Sequence, residues 1–319
     1  MAGGCPRHFT NSQQEGRENL LFLQQLINGL QLGSIYALIA LGYTMVYGIV
    51  RLINFAHGDI YMIGAYTGYM IATRLNWPFL PCLFAAMVFC AVLGMTIEKI
   101  AYRPLRSAPR IATLTTAIGV SLLLQNLVRY FIGPNYIPFP ELFKRQSYVI
   151  YSAGSGLGLR TLTVSNIQII VLVTALTLMF LLQFIVRKTK TGKAMRAVSF
   201  DKDAARLMGI DVDRIITITF AIGSSLAGAA GVLVGIAYPR IDPGMGVLAG
   251  LKAFVAAVLG GVGIIPGAMF GGLVMGSAET MVLAYGKSTY RDAIAFTILI
   301  LILLFKPAGL FGKSVSEKV

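Results

Sequence analysis

The most concentrated set of chemically active side chains lies between Arg51 and Asp59, in the sequence RLINFAHGD. Asn54, His57 and Asp59 offer an amide, an imidazole and a carboxylate, a set that can bind polar solutes and exchange protons. Nucleophilic catalysis needs a Ser or Cys beside its base, and His57 has no such partner at a telling spacing. The cysteines at positions 5, 82 and 90 show no metal-binding spacing. We therefore expect no catalytic residue, no bound metal and no cofactor.

This polar stretch joins two apolar segments, at about 20–50 and 59–73, with almost no loop between them. Unpaired polar groups in hydrocarbon cost several kcal/mol each, so the side chains must face protein, a cavity or water. Two interpretations stay open. In one, the stretch is a break in a helix, and Asn54, His57 and Asp59 line a translocation pathway. In the other, it is a short turn at the membrane surface, with Arg51 and Asp59 in water.

A second set of charged residues lies in the 28-residue loop Arg187–Arg214, which carries eight Lys and Arg against four Asp. Asp201 and Asp203 are placed to complement the positive end of a helix. Good helix formers follow, and Gly209 is a typical helix terminator. The loop thus predicts a short helix from about Asp201 to Met208, with Leu207 and Met208 as an apolar knob. This helix either docks a soluble partner or lies on anionic lipid.

The composition indicates that the bilayer is the solvent. Of 319 residues, 56% are hydrophobic and only 13% are charged, against roughly 25% charged in an average soluble domain. Most apolar segments approach the ~20 residues that cross a ~30 Å hydrocarbon core, and they lack the alternation of a β-barrel. The predicted fold class is an all-α, multi-pass membrane protein with roughly eight transmembrane helices, at about 20–50, 59–73, 79–101, 111–132, 166–186, 215–236, 251–285 and 291–305, the seventh interrupted by glycines and a proline.

Three regions follow along the chain. We expect residues 1–19 to be a polar, disordered N-terminal tail, since they lack the apolar core of a signal peptide. Residues 20–312 form the transmembrane domain, and residues 313–319 form a short cytoplasmic tail. The sequence has no GxxxxGK[ST] phosphate-binding motif, so the chain does not hydrolyse ATP by that route.

The distribution of charge predicts the orientation. The net charge is +14, but the basic residues cluster in short loops beside apolar spans, as the positive-inside rule requires, so we expect no nucleic-acid partner. Loop 187–214 and the C-terminal tail should face the cytoplasm. Loop 133–165, rich in Pro and Gly, should lie outside, as short helices that meet a partner or as a connecting cap. The side of the N-terminus stays open.

Small and isolated charged residues in the apolar segments complete the pattern. Gly263, Gly267 and Gly271 recur at four-residue steps, which favours close helix packing in lipid. Lys252 should extend its amine towards the interface. Glu279 should face the bundle interior or the outer interface, and no partner for it is visible in the sequence.

Six ordered motifs resemble the LivH-type permeases of branched-chain amino acid ABC importers, and the resemblance extends from about residue 20 to the C-terminus. These motifs are GSIYALIALGYT at 33–44, INFAHGD at 53–59, AYRPLR at 101–106, GKAMRA at 192–197, ARLMGI at 205–210 and AFVAAVLGG at 253–261.

The resemblance implies a subunit that carries leucine, isoleucine or valine across a bacterial inner membrane. It also implies a second related permease chain, two ATP-binding subunits that hydrolyse the ATP, a periplasmic solute-binding protein and surrounding lipid. The helix in loop 187–214 would be the coupling helix, with coupling residues Asp201, Ala205, Arg206, Leu207 and Gly209.

Two alternatives remain. Related permeases carry urea or short amides. A self-contained, ion-coupled secondary transporter would instead use the interrupted segments as its ion and substrate site. A docking helix combined with few membrane-embedded charge pairs favours the importer.

Overall fold

The computed structural model describes residues 11–50, 54–106, 108–153 and 160–312. These residues form eleven α-helices and one two-stranded sheet: α1 Asn11–Val50, α2 His57–Arg74, α3 Phe79–Ile97, α4 Arg110–Phe131, β1 Ser147–Ala153, β2 Arg160–Ser165, α5 Asn166–Lys188, α6 Lys190–Phe200, α7 Lys202–Leu207, α8 Val212–Ala237, α9 Met245–Gly260, α10 Ile265–Tyr285 and α11 Arg291–Phe305. A π-helical turn, Glu98–Tyr102, extends α3, and 3-10 turns form at Arg103–Leu105 and Ser288–Tyr290.

Seven helices in the described residues are long and apolar enough to cross a membrane, and α9 is a shorter apolar helix. The seven spans are Glu18–Val50, Phe79–Leu105, Ile111–Phe131, Asn166–Lys188, Val212–Ala237, Ile265–Tyr285 and Ser288–Phe305. The predicted all-α, multi-pass membrane fold is therefore confirmed. The predicted segment 251–285 is two helices, α9 and α10, because Gly261 and Gly263 adopt positive φ angles of 104° and 92° that end the first helix.

The N-terminal prediction needs a correction. Helix α1 begins at Asn11, so nine residues of the predicted polar tail, 11–19, belong to this helix. Residues 11–19 include Gln, Glu and Arg, which are good helix formers, so the helix extends beyond its apolar part. Residues 1–10 and the predicted tail 313–319 lie outside the described residues.

Helices α1 and α8 form the centre of the bundle. In their most apolar 18-residue windows, 89% and 78% of residues are buried, against 6% in the span that contains α11. Helix α1 packs along α10, α8 and α9, while α2 and α3 also pack against α8. The windows in α4 and α5 are each only 28% buried, so these helices and α11 form the periphery.

Glycine contacts set the distance between the central helices. A Cβ on Gly276 of α10 would overlap the backbone of Gly33 in α1, and a Cβ on Gly64 of α2 would lie 2.6 Å from the Gly228 carbonyl oxygen in α8. Small residues that let two backbones touch are typical of helix packing in membranes, where dispersion contacts replace the hydrophobic effect. Of the three glycines predicted to pack closely, Gly267 and Gly271 do so, because a Cβ there would overlap the α9 backbone. Gly263 does not, since a Cβ there meets only the Gly48 Cα at 3.7 Å.

We expect Gly276→Val to destabilise the protein by about 2–3 kcal/mol, because the new side chain must push the α1 backbone away. Gly119→Val in α4 is the matched control, since a Cβ there meets nothing within 4 Å. The control should change stability by no more than about 0.5 kcal/mol. Thermal unfolding of the purified variants in one detergent measures both, and equal effects would contradict this account of the α1–α10 contact.

The loop predicted to lie outside forms a β-hairpin. Strands β1 and β2 pair antiparallel from Ser147↔Ser165, with an irregularity between Val149 and Tyr151. The predicted short helices do not form in the described part of this loop, and a hairpin forms because both strands are rich in β-branched and aromatic residues.

The hairpin also locates the start of α1. Gln24 accepts a 2.8 Å hydrogen bond from the Thr163 backbone N–H and donates one of 3.0 Å to the Thr163 carbonyl oxygen. The other end of α1, near Gly48 and Ile49, lies beside α6. The described start of α1 and loop 187–214 therefore lie at opposite ends of the bundle, which the sequence left open.

Candidate functional site

Two short helices, α6 and α7, and the turn that follows them form an arm at one end of the bundle, which we call the α6–α7 arm (residues 190–209). The Thr189 side chain caps α6 by accepting from the Gly192 N–H at 3.1 Å. Asp201 caps α7, because its Oδ1 accepts from the N–H groups of Asp203 and Ala204 at 2.8 and 3.0 Å. Gly209, at φ 79°, ends the turn that follows α7.

The sequence predicted only one of these helices. The structure has α7 within one residue of the predicted bounds at either end, but α6 was missed. Its signal is weak: Met195 and Val198, three residues apart, are the buried large apolar residues of an otherwise polar helix. They hold α6 against the bundle, and Gly192 allows close contact with the backbone of Ile185 and Val186 in α5.

The five predicted coupling residues lie together on this arm in four structural roles. Asp201 and Gly209 set the two ends of α7, and Ala205 is buried beneath it. Arg206 forms an exposed ion pair of 3.2 Å with Asp203. Leu207 points away from the protein and is 89% exposed.

Two more exposed apolar side chains flank α7. Phe200 is 91% exposed and Met208 is 82% exposed. We call Phe200, Leu207 and Met208 the apolar tip. Phe200 was missed by sequence reasoning, because nothing in the sequence distinguishes an exposed Phe at a helix end from a core Phe. Such an apolar surface on a polar arm is typical of a protein interaction site.

An ion-pair network joins the neighbouring loop to α8. Asp213 pairs with Arg103 at 2.7 Å and also with Arg106, which reaches the buried Glu98 as well. The Thr217 hydroxyl donates to Glu98 at 2.7 Å. Because Asp213 and Thr217 belong to the first turns of α8, these contacts fix the base of α8 to the loop between α3 and α4.

The second candidate site contains Asn54, His57 and Asp59, which are 3%, 1% and 1% exposed. The structure brings all three into the bundle but gives them different neighbours. Asn54 Oδ1 accepts from the Tyr102 hydroxyl at 2.7 Å, and Asp59 Oδ1 accepts from Gln125 Nε2 at 3.1 Å. The interpretation of a surface turn with a solvated Asp59 is therefore wrong, because α2 begins at His57 inside the packed helices.

The His57 ring lies against Gly42 of α1, and its centroid is 4.8 Å from that of Tyr43. Within the described residues, three polar atoms near the start of α2 or along it are buried without a hydrogen-bond partner: Asn54 Nδ2, His57 Nε2 and the Tyr66 hydroxyl. Buried polar atoms are nearly always paired, so unpaired ones indicate strain or a functional contact. These atoms can donate to or accept from a polar solute.

A buried charge cluster, which the sequence did not reveal, joins four helices. Glu279 of α10 is fully buried, accepts from the Tyr36 hydroxyl at 2.8 Å and pairs with Lys252 of α9 at 3.0 Å and with Arg291. Lys252 also pairs with Asp292 at 2.6 Å. The expectation that Lys252 reaches the interface was wrong, because α9 and α10 run side by side in opposite directions and bring Lys252 to Glu279. Glu279 faces the bundle interior, which was one of its two predicted positions.

The described residues contain no group of three or more His, Cys, Asp or Glu side chains that could hold a metal ion.

Comparison with known proteins gives one consistent answer. Residues 25–303 match the family model of the branched-chain amino acid transport system permease component. The high-affinity branched-chain amino acid transport system permease protein LivH of Escherichia coli K12 is 44% identical over 94% of this chain and 98% of its own length. Pseudomonas aeruginosa BraD is 43% identical over 93% of this chain and 98% of its own length. Escherichia coli K12 LivM is 27% identical over 86% of this chain and 67% of its own length.

Among solved structures, a match to PsaBC from Streptococcus pneumoniae in complex with Fab covers 94% of this chain and 97% of the matched chain. The TM-score is 0.49 and the sequence identity is 13%, so this similarity is too distant to inform the fold. The family model, by contrast, covers most of the transmembrane region. The chain belongs to the family of branched-chain amino acid transport system permease components.

Proposed function

We propose that this chain is the permease subunit of an ATP-driven importer that carries leucine, isoleucine and valine across a bacterial inner membrane. LivH and BraD, each more than 40% identical over nearly their whole length, are named for branched-chain amino acid transport, which supports the substrate class. In this proposal residues 20–312 form the transmembrane domain, and loop 187–214 faces the cytoplasm.

The observation that carries the proposal is the apolar tip. Three large apolar side chains, each more than 80% exposed, stand on a short arm that is anchored to α5 and to the bundle. Helix α7 has only six residues, which is short for a helix that binds lipid through a continuous apolar face. Docking into a groove on a cytoplasmic partner accounts for the tip better than lipid binding does.

That partner is a pair of ATP-binding subunits, in which the ATP hydrolysis takes place. Closure of the ATP-bound pair pushes on α7, and the movement passes through α6 to α1, α5 and α8, which α6 contacts. Because the arm is short and capped at each helix, it moves as a rigid lever. The described part of this chain therefore transmits motion, with no covalent chemistry of its own.

Two further partners complete the importer. The similarity to LivM supports a second, related permease chain, and the poorly buried α4 offers a lipid-depth surface for it. A periplasmic solute-binding protein delivers the amino acid at the opposite end of the bundle from the α6–α7 arm, where the β-hairpin lies. Asn54, His57 and Asp59 belong to the pathway between the two ends.

The pathway assignment predicts a difference between two variants that break the same hydrogen bond. Asn54→Ala and Tyr102→Phe each remove the 2.7 Å contact, and each should lower stability by about 1–3 kcal/mol. If Asn54 also contacts the solute, uptake by Asn54→Ala falls well below that of Tyr102→Phe when both are corrected for protein amount. Unchanged uptake and complex stability in Asn54→Ala would reduce this stretch to a structural turn.

The charge cluster favours a second candidate, an ion-coupled secondary transporter, because buried ionisable residues in membrane helices often bind coupling ions. Here the Glu279 carboxylate already has three partners, from Lys252, Arg291 and Tyr36. A carboxylate held in this way serves better as a clamp between helices than as a site that loads and releases an ion.

Reconstituted uptake tests these alternatives. Liposomes contain this chain, its partner permease and the ATP-binding subunits, with ATP inside and binding protein plus radiolabelled leucine outside. Uptake that requires both ATP and binding protein supports the importer, and competition by isoleucine, valine, urea or acetamide identifies the substrate class. Gradient-driven uptake by this chain alone would overturn the proposal in favour of a secondary transporter.

A further inference from the structure

A small cavity lies where the α6–α7 arm meets the central helices. It has a volume of about 80 Å³ and is lined by Thr44, Met45, Gly48, Ile49, Val186, Met195, Arg196, Ser199, Gly263 and Ile265. These residues come from α1, α5, α6, the α9–α10 turn and the start of α10. The cavity is therefore at the end of the bundle that carries the arm, far from the β-hairpin.

The walls combine one cation, two hydroxyls and a branched apolar lining. Met45, Ile49, Val186 and Met195 are buried and present aliphatic surface to the cavity. Arg196 is at the exposed side and donates one hydrogen bond, of 3.3 Å, to the Arg187 carbonyl oxygen. A guanidinium has five N–H donors in a planar fork that matches a carboxylate, so most of its donors remain for a ligand.

The Thr44 hydroxyl is the strongest sign of a ligand. Thr44 is 1% exposed, and its Oγ1 is buried without a hydrogen-bond partner within the described residues. An unpaired buried hydroxyl costs free energy, and a small shift of the cavity wall that lets a ligand atom reach Oγ1 would remove that cost. Ser199, whose hydroxyl donates to the Arg196 carbonyl oxygen at 2.8 Å, still has lone pairs that can accept from a ligand.

The size of the cavity suits a small amino acid. A water molecule requires roughly 10–15 Å³ of such space, so about five to eight water-sized groups fit. A branched aliphatic side chain, its Cα and its carboxylate amount to a similar number of groups. The ammonium group would remain at the open side in water, where its hydration is retained.

We propose that this cavity binds a free aliphatic L-amino acid from the cytoplasm, with its carboxylate on Arg196 and its side chain among the apolar walls, and that binding slows the importer. This inference rests on the proposed function, because the ligand is the imported product. The site acts as product feedback: transport declines when the cytoplasmic amino acid is already plentiful.

The position of the cavity explains how binding would slow transport. One wall belongs to α6, while the opposite walls belong to α1 and α10, so a bound ligand bridges the arm and the core. A ligand that binds only this arrangement stabilises it by RT ln(1 + [L]/Kd). Any movement of α6 relative to α1 must then first release the ligand, which adds to the barrier of each transport cycle.

The test measures initial ATP-driven uptake at a series of leucine concentrations sealed inside the liposomes with the ATP. Each variant is normalised to its own rate without internal leucine. In the wild type, internal leucine should lower the rate by at least about half at saturation. Arg196→Gln should raise the half-inhibiting concentration at least about tenfold, since a hydrogen bond to a charged group is lost. Lys193→Gln is the matched control, because Lys193 is an exposed cation of the same helix outside the cavity.

Direct binding separates this inference from the proposed function. Equilibrium binding of radiolabelled leucine to the complete complex in lipid nanodiscs, without binding protein or ATP, should weaken in both Arg196→Gln and Thr44→Val. This measurement does not need transport, so it remains informative if the uptake assay shows that leucine is not imported. Thr44→Val keeps the shape of the side chain and covers the case in which Arg196→Gln assembles poorly.

Three results would overturn the proposal. The first is an absence of inhibition by internal leucine together with an absence of binding to the complex. The second is inhibition that is equal in wild type and Arg196→Gln, as expected if leucine merely re-enters the pathway. The third concerns the carboxylate: 3-methylbutylamine, which lacks it, should not inhibit, and inhibition as strong as that by leucine would exclude recognition through Arg196.

Discussion

Leu207→Asp should abolish ATP-driven uptake while leaving the protein folded and inserted. Leu207 is 89% exposed, so its replacement removes few contacts within the chain and should change the stability of the isolated permease by no more than about 0.5 kcal/mol. In a docked complex the same side chain lies in the apolar centre of the interface, where an unpaired carboxylate costs several kcal/mol. We expect uptake in the reconstituted importer to fall at least about 100-fold.

Leu207→Met is the matched control, since it preserves an apolar side chain of similar volume and should retain uptake within about threefold. Affinity purification through the ATP-binding subunits provides a second measurement. The Asp variant should no longer copurify with them, and the Met variant should. Normal uptake by Leu207→Asp would show that the apolar tip is not the coupling contact, whatever the stability of the variant.

The positions of the transmembrane helices could be predicted because few backbone conformations are stable in lipid. With no water to satisfy the backbone, an apolar run of about 20 residues must be a helix, so segments such as 111–132 and 166–186 correspond closely to α4 and α5. Helix α7 could also be predicted, because Asp201 and Gly209 are helix-capping residues whose effect depends only on residues a few positions away. Both predictions depend only on interactions between near neighbours in sequence.

Contacts between residues that are distant in sequence could not be predicted. Lys252 and Glu279 are separated by 27 positions, and in the sequence neither has a nearby charged partner, because the pair forms only when α9 and α10 pack together in opposite directions. The same holds for Asp59, whose partner Gln125 lies 66 positions away in a different helix. The sequence showed that these polar side chains must be satisfied in some way, but the partners depend on which helices are neighbours, and no local pattern encodes that choice.

Glu279→Ala should destabilise the protein by about 3–5 kcal/mol, the range measured when one partner of a buried ion pair is removed. Glu279 has a side-chain exposure of 0% and Lys252 one of 6%, so neither water nor lipid headgroups can replace the lost partner. Asp292 also contacts Lys252, but at 49% side-chain exposure it is partly solvated and compensates only in part. Arg291 would lose its buried partner at the same time.

Asp203→Ala is the matched control, because it removes a carboxylate from an exposed pair, where the cost is about 0–1 kcal/mol. Thermal unfolding in detergent compares the two variants, and Lys252→Met in the Glu279→Ala background should recover part of the loss, because it removes an unpaired buried cation. If Glu279→Ala were as mild as the control, the cluster would not hold α1, α9, α10 and α11 together. A mild effect on stability combined with a complete loss of uptake would instead assign Glu279 to ion coupling, since a clamp can affect transport only by loosening the helices it joins.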